Sequence, residues 1–276
     1  MGDYVTSTVG IIGLGAMGGN AALRLQESGF DLVVYDTRPE QMGQHPHAVQ
    51  ASSVLDLASQ SEVILAFLPY SEQVEAIAIG PDGVCDGARP GTIFVNMGTI
   101  SPMTTRKIAD VLAERDIDVI GSPMNGGPHV ARVGELALVV GGREEVVERC
   151  RPVLSALGRI KHLGDVGSGE VAKIVNNLIL AVCINANAEA LVLGAKFGVD
   201  PEKLVDSVID GVGFNHGMRK HYKQHVLRGD FGENGRCQAV WSRSAAFLRS
   251  SGRLIPTTPA GVGVDGGLRK RSGWAL

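Results

Sequence analysis

The chain has 276 residues, of which 44% are hydrophobic and 20% charged, as is typical of a soluble globular protein with room for one large or two ordinary domains. Its net charge of -3 does not favour nucleic acid or an anionic membrane as a partner. Four cysteines lie far apart without metal-ligand spacing, which favours reduced thiols in a cytoplasmic protein and predicts no metal site. No basic stretch precedes the first apolar run, so we expect no signal peptide.

The first apolar run leads into a glycine-rich turn that is typical of dinucleotide binding. Residues 9–12 predict a strand, and the apolar residues from Ala21 predict a helix that ends near Gly29. Between them, Gly13-Leu14-Gly15-Ala16-Met17-Gly18 matches G-x-G-x-x-G, in which glycines permit a tight turn and a close approach of the backbone to a pyrophosphate. These six residues are therefore predicted to bind a nicotinamide dinucleotide.

An acidic residue follows the second predicted strand, residues 31–35. Asp36 stands where a carboxylate accepts hydrogen bonds from the adenosine ribose, which favours NAD because a carboxylate repels the 2′-phosphate of NADP. Thr37 and Arg38 come next and would bind that phosphate if Asp36 swung aside, so NADP stays open. All three residues are predicted to contact the cofactor.

Strands and helices alternate through the following 120 or so residues, as expected of a fold built from strand-helix-strand units. The predicted strands are residues 63–67, 92–95, 117–120, 136–140 and 160–163. The predicted helices are residues 53–58, a helix capped by Ser71, a helix capped by Ser101 with Pro102 at its first position, and residues 144–157. This alternation predicts an α/β fold with a doubly wound parallel Rossmann sheet over residues 1–163. Ligands bind beyond the carboxyl ends of such strands, which places Leu68, Pro69 and Thr99 against the cofactor.

A second glycine-rich segment follows the strand predicted at residues 117–120. Asn125 precedes the adjacent glycines Gly126 and Gly127, whose backbone N–H groups can point together at an anion such as a carboxylate. An ordinary glycine turn is the alternative interpretation.

A long helix is predicted from residue 167 to Gly194, and it opens an all-α domain over residues 164–231. The glycines at its start are expected to act as a hinge. Lys173 and Asn177 lie one helical turn apart, so both can reach the same small molecule. Lys173 either extends to water or is a desolvated group that transfers protons near neutral pH. Because this helix is apolar nearly all round, we expect it to be buried on all sides and to assemble a homodimer or homotetramer.

Together these motifs resemble the β-hydroxyacid dehydrogenase family over about the first 230 residues. The matching segments, in chain order, are residues 13–18 with Asn20, Leu68-Pro69, residues 99–102, residues 123–127, residues 167–177, residues 189–191, residues 198–200 and residues 228–231. The resemblance implies hydride transfer between NAD(P) and a small β-hydroxy acid or its semialdehyde. It implies that Lys173 is the acid/base and that Asn177 orients the hydroxyl or the lysine. It also implies that Gly126 and Gly127 bind the substrate carboxylate and that Thr99 borders the nicotinamide.

Three features depart from the family pattern. Asn125 stands where most members have Ser, which leaves the substrate preference open. Asn96 and Gly98 replace the usual Asp and Ser, which we expect to alter only loop packing. Residues 232–276 do not continue the family's amphipathic helices and are expected to form an atypical, poorly ordered tail. An imine reductase, which Lys173 argues against, and a non-catalytic dinucleotide-binding protein are the alternative functions.

Overall fold

The computed structural model describes residues 8–228, so the predictions made for the tail at residues 232–276 lie outside the described part. Its first strands form a six-stranded parallel sheet in the order β3-β2-β1-β4-β5-β6. These strands are β1 (Thr8–Ile12), β2 (Asp31–Tyr35), β3 (Val49–Gln50), β4 (Val63–Ala66), β5 (Ile93–Asn96) and β6 (Asp118–Gly121). The order reverses between β1 and β4, which opens a crevice at their carboxyl ends.

Helices pack on both faces of this sheet and form two hydrophobic cores. The helices are α1 (Ala16–Glu27), α2 (Pro39–Met42), α3 (Val54–Gln60), α4 (Ser71–Ile79), α5 (Val84–Gly87) and α6 (Pro102–Ala113). Neighbouring strand residues alternate between the cores: Ile11 and Leu65 belong to one, Ile12 and Ile64 to the other. This alternation follows from the two-residue period of a strand that is buried on both faces. The predicted α/β Rossmann fold class is confirmed.

Of the two predicted helix caps, one is present and one is displaced. The Ser101 side chain accepts a hydrogen bond from a backbone N–H in the first turn of α6, as predicted, and Ser53, which was not predicted as a cap, does the same for α3. Ser71, predicted as a cap, is instead the first residue of α4, and Tyr70 is the N-cap without a side-chain hydrogen bond.

The last two predicted strands lie in a second sheet rather than in the first. This sheet has the order β7-β8-β9 and consists of β7 (Met124–Asn125), β8 (Leu136–Val140) and β9 (Gly158–His162). Helices α7 (Pro128–Arg132) and α8 (Glu144–Leu157) connect its strands. β7 and β8 are antiparallel, and an antiparallel bridge between Gly121 and Gly141 joins the two sheets. The chain therefore reverses after β6, which ends the parallel sheet there.

A 29-residue helix, α9 (Ser168–Lys196), carries the chain into the helical part. It is followed by α10 (Pro201–Asp210), a π-helical turn at Met218–Tyr222 and a 3-10 turn at Val226–Arg228. A small core of buried residues joins these elements: Leu191, Val205, Met218 and Tyr222. Only one face of α9 is buried in this way.

The opposite face of α9 carries exposed apolar side chains, which we call the apolar ridge: Val171, Val175, Ile179, Val182 and Leu193. These side chains are 42–60% exposed, so the prediction that α9 is buried on all sides is wrong for the single described chain. An apolar composition indicates that a helix is buried, but it does not indicate whether the residues that bury it belong to the same chain or to another. By length and composition, α9 is also the one helix in residues 8–228 that would suffice to cross a membrane, a test that core helices of soluble proteins pass as well.

The first turn of α9 lies directly on the backbone of both sheets. A Cβ added to Gly169 would overlap the carbonyl oxygen of Val139 and lie 2.7 Å from that of Gly121. Gly167, just before the helix, has a φ of +95°, which L-residues rarely adopt. These glycines permit a close contact between the helix and the sheets, and their predicted role as a hinge stays a prediction.

Candidate active site

The turn between β1 and α1 is shaped for close approach of a ligand to the backbone. Gly13 has a φ of +89° and donates its N–H to the Tyr35 carbonyl at 2.9 Å. Gly15 is the N-cap of α1 without a capping side chain, and Ala16 and Met17 open the helix. Gly18 is packed so tightly that a Cβ there would overlap the Gly13 carbonyl oxygen. The N-terminus of α1 therefore points free N–H groups and a partial positive charge into the crevice, where a pyrophosphate would bind.

Asp36 lies at the end of β2 and is 8% exposed. Its carboxylate accepts hydrogen bonds from the Leu14 N–H at 2.8 Å, from the Arg38 N–H at 2.9 Å and from the Arg38 guanidinium at 3.0 and 3.2 Å. Burial raises the pKa of this carboxyl, but the hydrogen bonds from Arg38 and Leu14 outweigh burial and hold the pKa below its ordinary value. Asp36 is thus ionised at neutral pH and lies beside the turn. Thr37 and Arg38 are both exposed next to it.

The loops after β4 and β5 meet over the same turn. A Cβ on Gly13 would lie 3.1 Å from the Leu68 side chain, and one on Gly98 would overlap the Leu68 carbonyl oxygen. Pro69 follows Leu68 at the surface, and Thr99, half-buried, follows Gly98. The structure therefore brings the predicted cofactor residues of three loops to one end of the sheet. Such a crevice, with a close backbone turn and an acid on the ribose side, fits a nicotinamide dinucleotide.

Lys173 and Asn125 come together from distant parts of the sequence. The Lys173 Nζ donates a hydrogen bond to the Asn125 Oδ1 at 2.5 Å, and Lys173 is half-buried. Asn177, one turn further along α9, is 7% exposed and accepts a 3.5 Å contact from the Asn176 amide. An ammonium and a carboxamide therefore lie on the helix face that is turned toward the sheet.

The two glycines beyond Asn125 offer unused donors. Gly126 has a φ of +131°, and Gly127 is the N-cap of α7. Within residues 8–228 neither of their N–H groups donates to a backbone oxygen. Two N–H groups next to a lysine can hold a carboxylate while a proton moves at the neighbouring carbon.

One buried acid of this region was missed in the sequence. Glu170, in the first turn of α9, is 0% exposed, and its Oε1 accepts hydrogen bonds from Asn96 and Thr105. Burial raises the pKa of this carboxyl, against the opposing effect of those two hydrogen bonds. The sequence signal that could have indicated this buried acid is a glutamate in the first turn of an otherwise apolar helix. The expectation that Asn96 affects only loop packing is also wrong, because its amide binds this acid.

Within residues 8–228 no group of three or more His, Cys, Asp or Glu side chains is arranged to hold a metal ion.

A family model described as the NAD binding domain of 6-phosphogluconate dehydrogenase matches residues 8–173. A second, described as the NAD-binding domain of NADP-dependent 3-hydroxyisobutyrate dehydrogenase, matches residues 167–241. The 2-(hydroxymethyl)glutarate dehydrogenase of Eubacterium barkeri is 37% identical over 228 residues, which are 81% of this chain and 75% of that protein.

The chain belongs to the β-hydroxyacid dehydrogenase family. A further relative of this β-hydroxyacid dehydrogenase is the 3-hydroxyisobutyrate dehydrogenase of Pseudomonas aeruginosa, 37% identical over 75% of this chain and 70% of that protein. The solved structure of the Mycobacterium tuberculosis 3-hydroxyisobutyrate dehydrogenase with L-serine superposes with a TM-score of 0.83 at 27% identity. That match covers 91% of this chain and 90% of the other. The resemblance inferred from the motifs is confirmed, and this β-hydroxyacid dehydrogenase is an NAD(P)-dependent enzyme.

Proposed function

We propose that this β-hydroxyacid dehydrogenase interconverts a small 3-hydroxy acid and its semialdehyde, with Lys173 as the acid/base. The observation that supports the assignment is the 2.5 Å hydrogen bond between Lys173 and Asn125, next to Gly126 and Gly127, whose N–H groups donate to no backbone oxygen in the described part of the chain. A lysine beside a carboxylate-binding pair of N–H groups has the chemistry that oxidation of a hydroxy acid requires.

Each group has one role in the proposed reaction. A bound nicotinamide would supply the hydride acceptor for oxidation and the hydride donor for reduction. Lys173 accepts the hydroxyl proton in its amine form during oxidation and donates a proton in its ammonium form during reduction. Asn177 orients the hydroxyl, and Gly126 and Gly127 hold the carboxylate. Asp36 binds the adenosine ribose, and Leu68, Pro69 and Thr99 line the cofactor.

The substrate class follows from what the named relatives act on. The substrates in their names, 2-(hydroxymethyl)glutarate and 3-hydroxyisobutyrate, share a hydroxymethyl group on the carbon that bears the carboxylate. They differ in the second substituent on that carbon. We therefore propose 2-substituted 3-hydroxy acids as the substrates, with Asn125 lying beside the variable substituent.

The test is turnover of the purified chain with NAD+ or NADP+ and a panel of such acids, followed by the absorbance of the reduced nicotinamide. Replacing Lys173 with Ala should lower kcat by about 10²- to 10⁴-fold, because a positioned acid/base contributes about that much, and should leave binding of the reduced nucleotide intact. Lys161→Ala removes an exposed lysine of β9 and serves as the matched control. A Lys173→Ala enzyme that kept its activity within about threefold would contradict the assignment.

The two alternative functions predict different results in the same assay. An imine reductase would oxidise the reduced nucleotide with cyclic imines and not with semialdehydes, and Lys173 argues against it. A non-catalytic dinucleotide-binding protein would bind the nucleotide and turn over neither class.

We further propose that a second copy of the chain covers the apolar ridge of α9. Five exposed branched apolar side chains along one helix face are costly to leave in water, which supports an interface of this kind. Sedimentation velocity should give a dimer or tetramer, and Ile179→Lys should dissociate it. A monomer for the unaltered chain at micromolar concentration would refute this.

A further inference from the structure

We propose that Glu170 is a positioning residue that holds the Lys173 end of α9 in register with the loop bordering the nicotinamide, through hydrogen bonds shared with Asn96 and Thr105. This inference rests on the proposed function, because it assigns Glu170 its effect through Lys173. Nothing in the matches to known proteins assigns a role to this carboxyl.

A single carboxyl oxygen joins three elements. The Glu170 Oε1 accepts from the Asn96 Nδ2 at 3.0 Å and from the Thr105 Oγ1 at 2.8 Å. Asn96 is the last residue of β5, Thr105 lies in the first turn of α6, and Glu170 lies in the first turn of α9. Lys173 follows one helical turn later, so the rotation and height of that turn set the position of its amine.

Asn96 extends the connection to the nicotinamide side of the site. Its Oδ1 accepts from the Gly98 N–H at 3.0 Å, and its Nδ2 also donates to the Gly98 carbonyl at 3.2 Å. Gly98 immediately precedes Thr99, the residue predicted to border the nicotinamide. The Asn96 side chain therefore hydrogen-bonds both to Gly98, in the loop that carries Thr99, and to Glu170 of α9.

The carboxyl of Glu170 is closely packed against β6. A Cβ added to Gly121, at the end of β6, would overlap both carboxyl oxygens of Glu170. The acid therefore fills the volume that a side chain at position 121 would take. Because Glu170 is fully buried and closely packed, we expect the connection between α9 and β5 to hold one geometry on average.

The connection requires an acceptor rather than a charge. Burial raises the pKa of Glu170, and Arg106 is the nearby cation that opposes this. The Glu170 Oε2 has no hydrogen-bond partner within residues 8–228, whereas Oε1 has two. A glutamine keeps an oxygen for both donors, so it should preserve the connection, while an alanine removes it.

Four variants test the proposal by steady-state kinetics. Glu170→Ala should lower kcat by about 10- to 100-fold with KM for the hydroxy acid changed less than about threefold, because a small misplacement of a reacting group costs this much. Glu170→Gln should retain most of the activity. Asn96→Asp places a second carboxylate against Glu170 and should lower kcat. The double variant Asn96→Asp with Glu170→Gln restores a donor-acceptor pair, so its kcat should be about tenfold higher than that of Asn96→Asp alone.

The control is Leu57→Ala, which removes buried volume where α3 packs on Gly10 of β1, outside β5, α6 and α9. A loss of kcat in that variant equal to that of Glu170→Ala would overturn the proposal. The proposal would also be overturned if the kcat of Glu170→Gln were as low as that of Glu170→Ala. It would likewise be overturned if the kcat of the double variant were no higher than expected from multiplying the losses in Asn96→Asp and Glu170→Gln.

A second readout does not depend on turnover. Reductive methylation with ¹³C-formaldehyde labels the lysines, and the Lys173 resonance is assigned by its absence from Lys173→Arg. The pH midpoint of the Lys173 resonance in Glu170→Ala should differ from that in the unaltered chain. The midpoint in the double variant should lie closer to that of the unaltered chain than the midpoint in Asn96→Asp does. If the unaltered chain binds nucleotide but oxidises no acid of the panel, the proposed function fails while this titration still decides the role of Glu170. An unchanged Lys173 resonance in Glu170→Ala would overturn the inference.

Discussion

Replacing Asp36 with Asn should shift nucleotide preference from NAD toward NADP. The Asp36 carboxylate accepts from the Leu14 N–H and also holds the Arg38 guanidinium. Asparagine keeps an oxygen for Leu14, so the turn should stay folded, but it loses the charge that binds the ribose hydroxyls and releases Arg38. A charge-assisted hydrogen bond exceeds a neutral one by about 1–1.5 kcal/mol, which corresponds to a rise of about 5- to 13-fold in the Kd for NADH.

The same substitution should tighten NADPH binding by about tenfold or more, because it removes a like charge and frees a guanidinium for the 2′-phosphate. Fluorescence titration with both reduced nucleotides measures the two constants. Adding Arg38→Ala to the Asp36→Asn enzyme should abolish the gain for NADPH and leave the Kd for NADH where it was. Asp31→Asn makes the same charge change at an exposed position of β2 and is the control. The reasoning is refuted if Asp31→Asn shifts both constants equally, or if the NADPH gain survives the loss of Arg38.

Three further predictions concern the lysine side of the site. Asn125→Ala should lower kcat/KM for the hydroxy acid, since the Lys173 Nζ loses the oxygen to which it donates; an unchanged kcat/KM would contradict this. Glu170→Gln should raise the Tm near pH 7 and not near pH 4. The folded-state pKa of Glu170 lies above its ordinary 4.5, so its favourable contribution is present below that pH and is lost as pH rises, whereas glutamine does not titrate. Gly169→Ala should destabilise the fold by about 1–3 kcal/mol in a denaturant titration, because its Cβ would overlap a sheet carbonyl, while Gly43→Ala, whose Cβ would make only ordinary van der Waals contacts, should not.

The cofactor half of the site could be predicted from the sequence because its parts are close together in the chain. The turn at residues 13–18 and Asp36 belong to one strand-helix-strand unit, so their spacing alone indicates their geometry. The second sheet could not be predicted in the same way. The bridge between Gly121 and Gly141 depends on contacts between separate segments, and a glycine carries no pattern that specifies its partner.

The lysine half was predicted only in part, for two physical reasons. Glu170 and Asn96 are separated by 74 positions, and a hydrogen bond between them leaves no periodic signal in the sequence. The burial of α9 was overestimated because hydrophobic periodicity reports what a helix surface is made of and not what covers it. The apolar ridge is the part of α9 that is apolar in composition and yet exposed in the single described chain.

The contact between Gly169 and the sheet backbone has a consequence for how this enzyme can change. The first turn of α9 packs closely on the backbone of both sheets at Gly169, and the same helix brings Lys173 to Asn125 of β7. α10 and the turns after it pack on the later part of α9 and supply none of the residues proposed for the reaction. We therefore expect substitutions in those later elements to change activity less than substitutions in the first turns of α9.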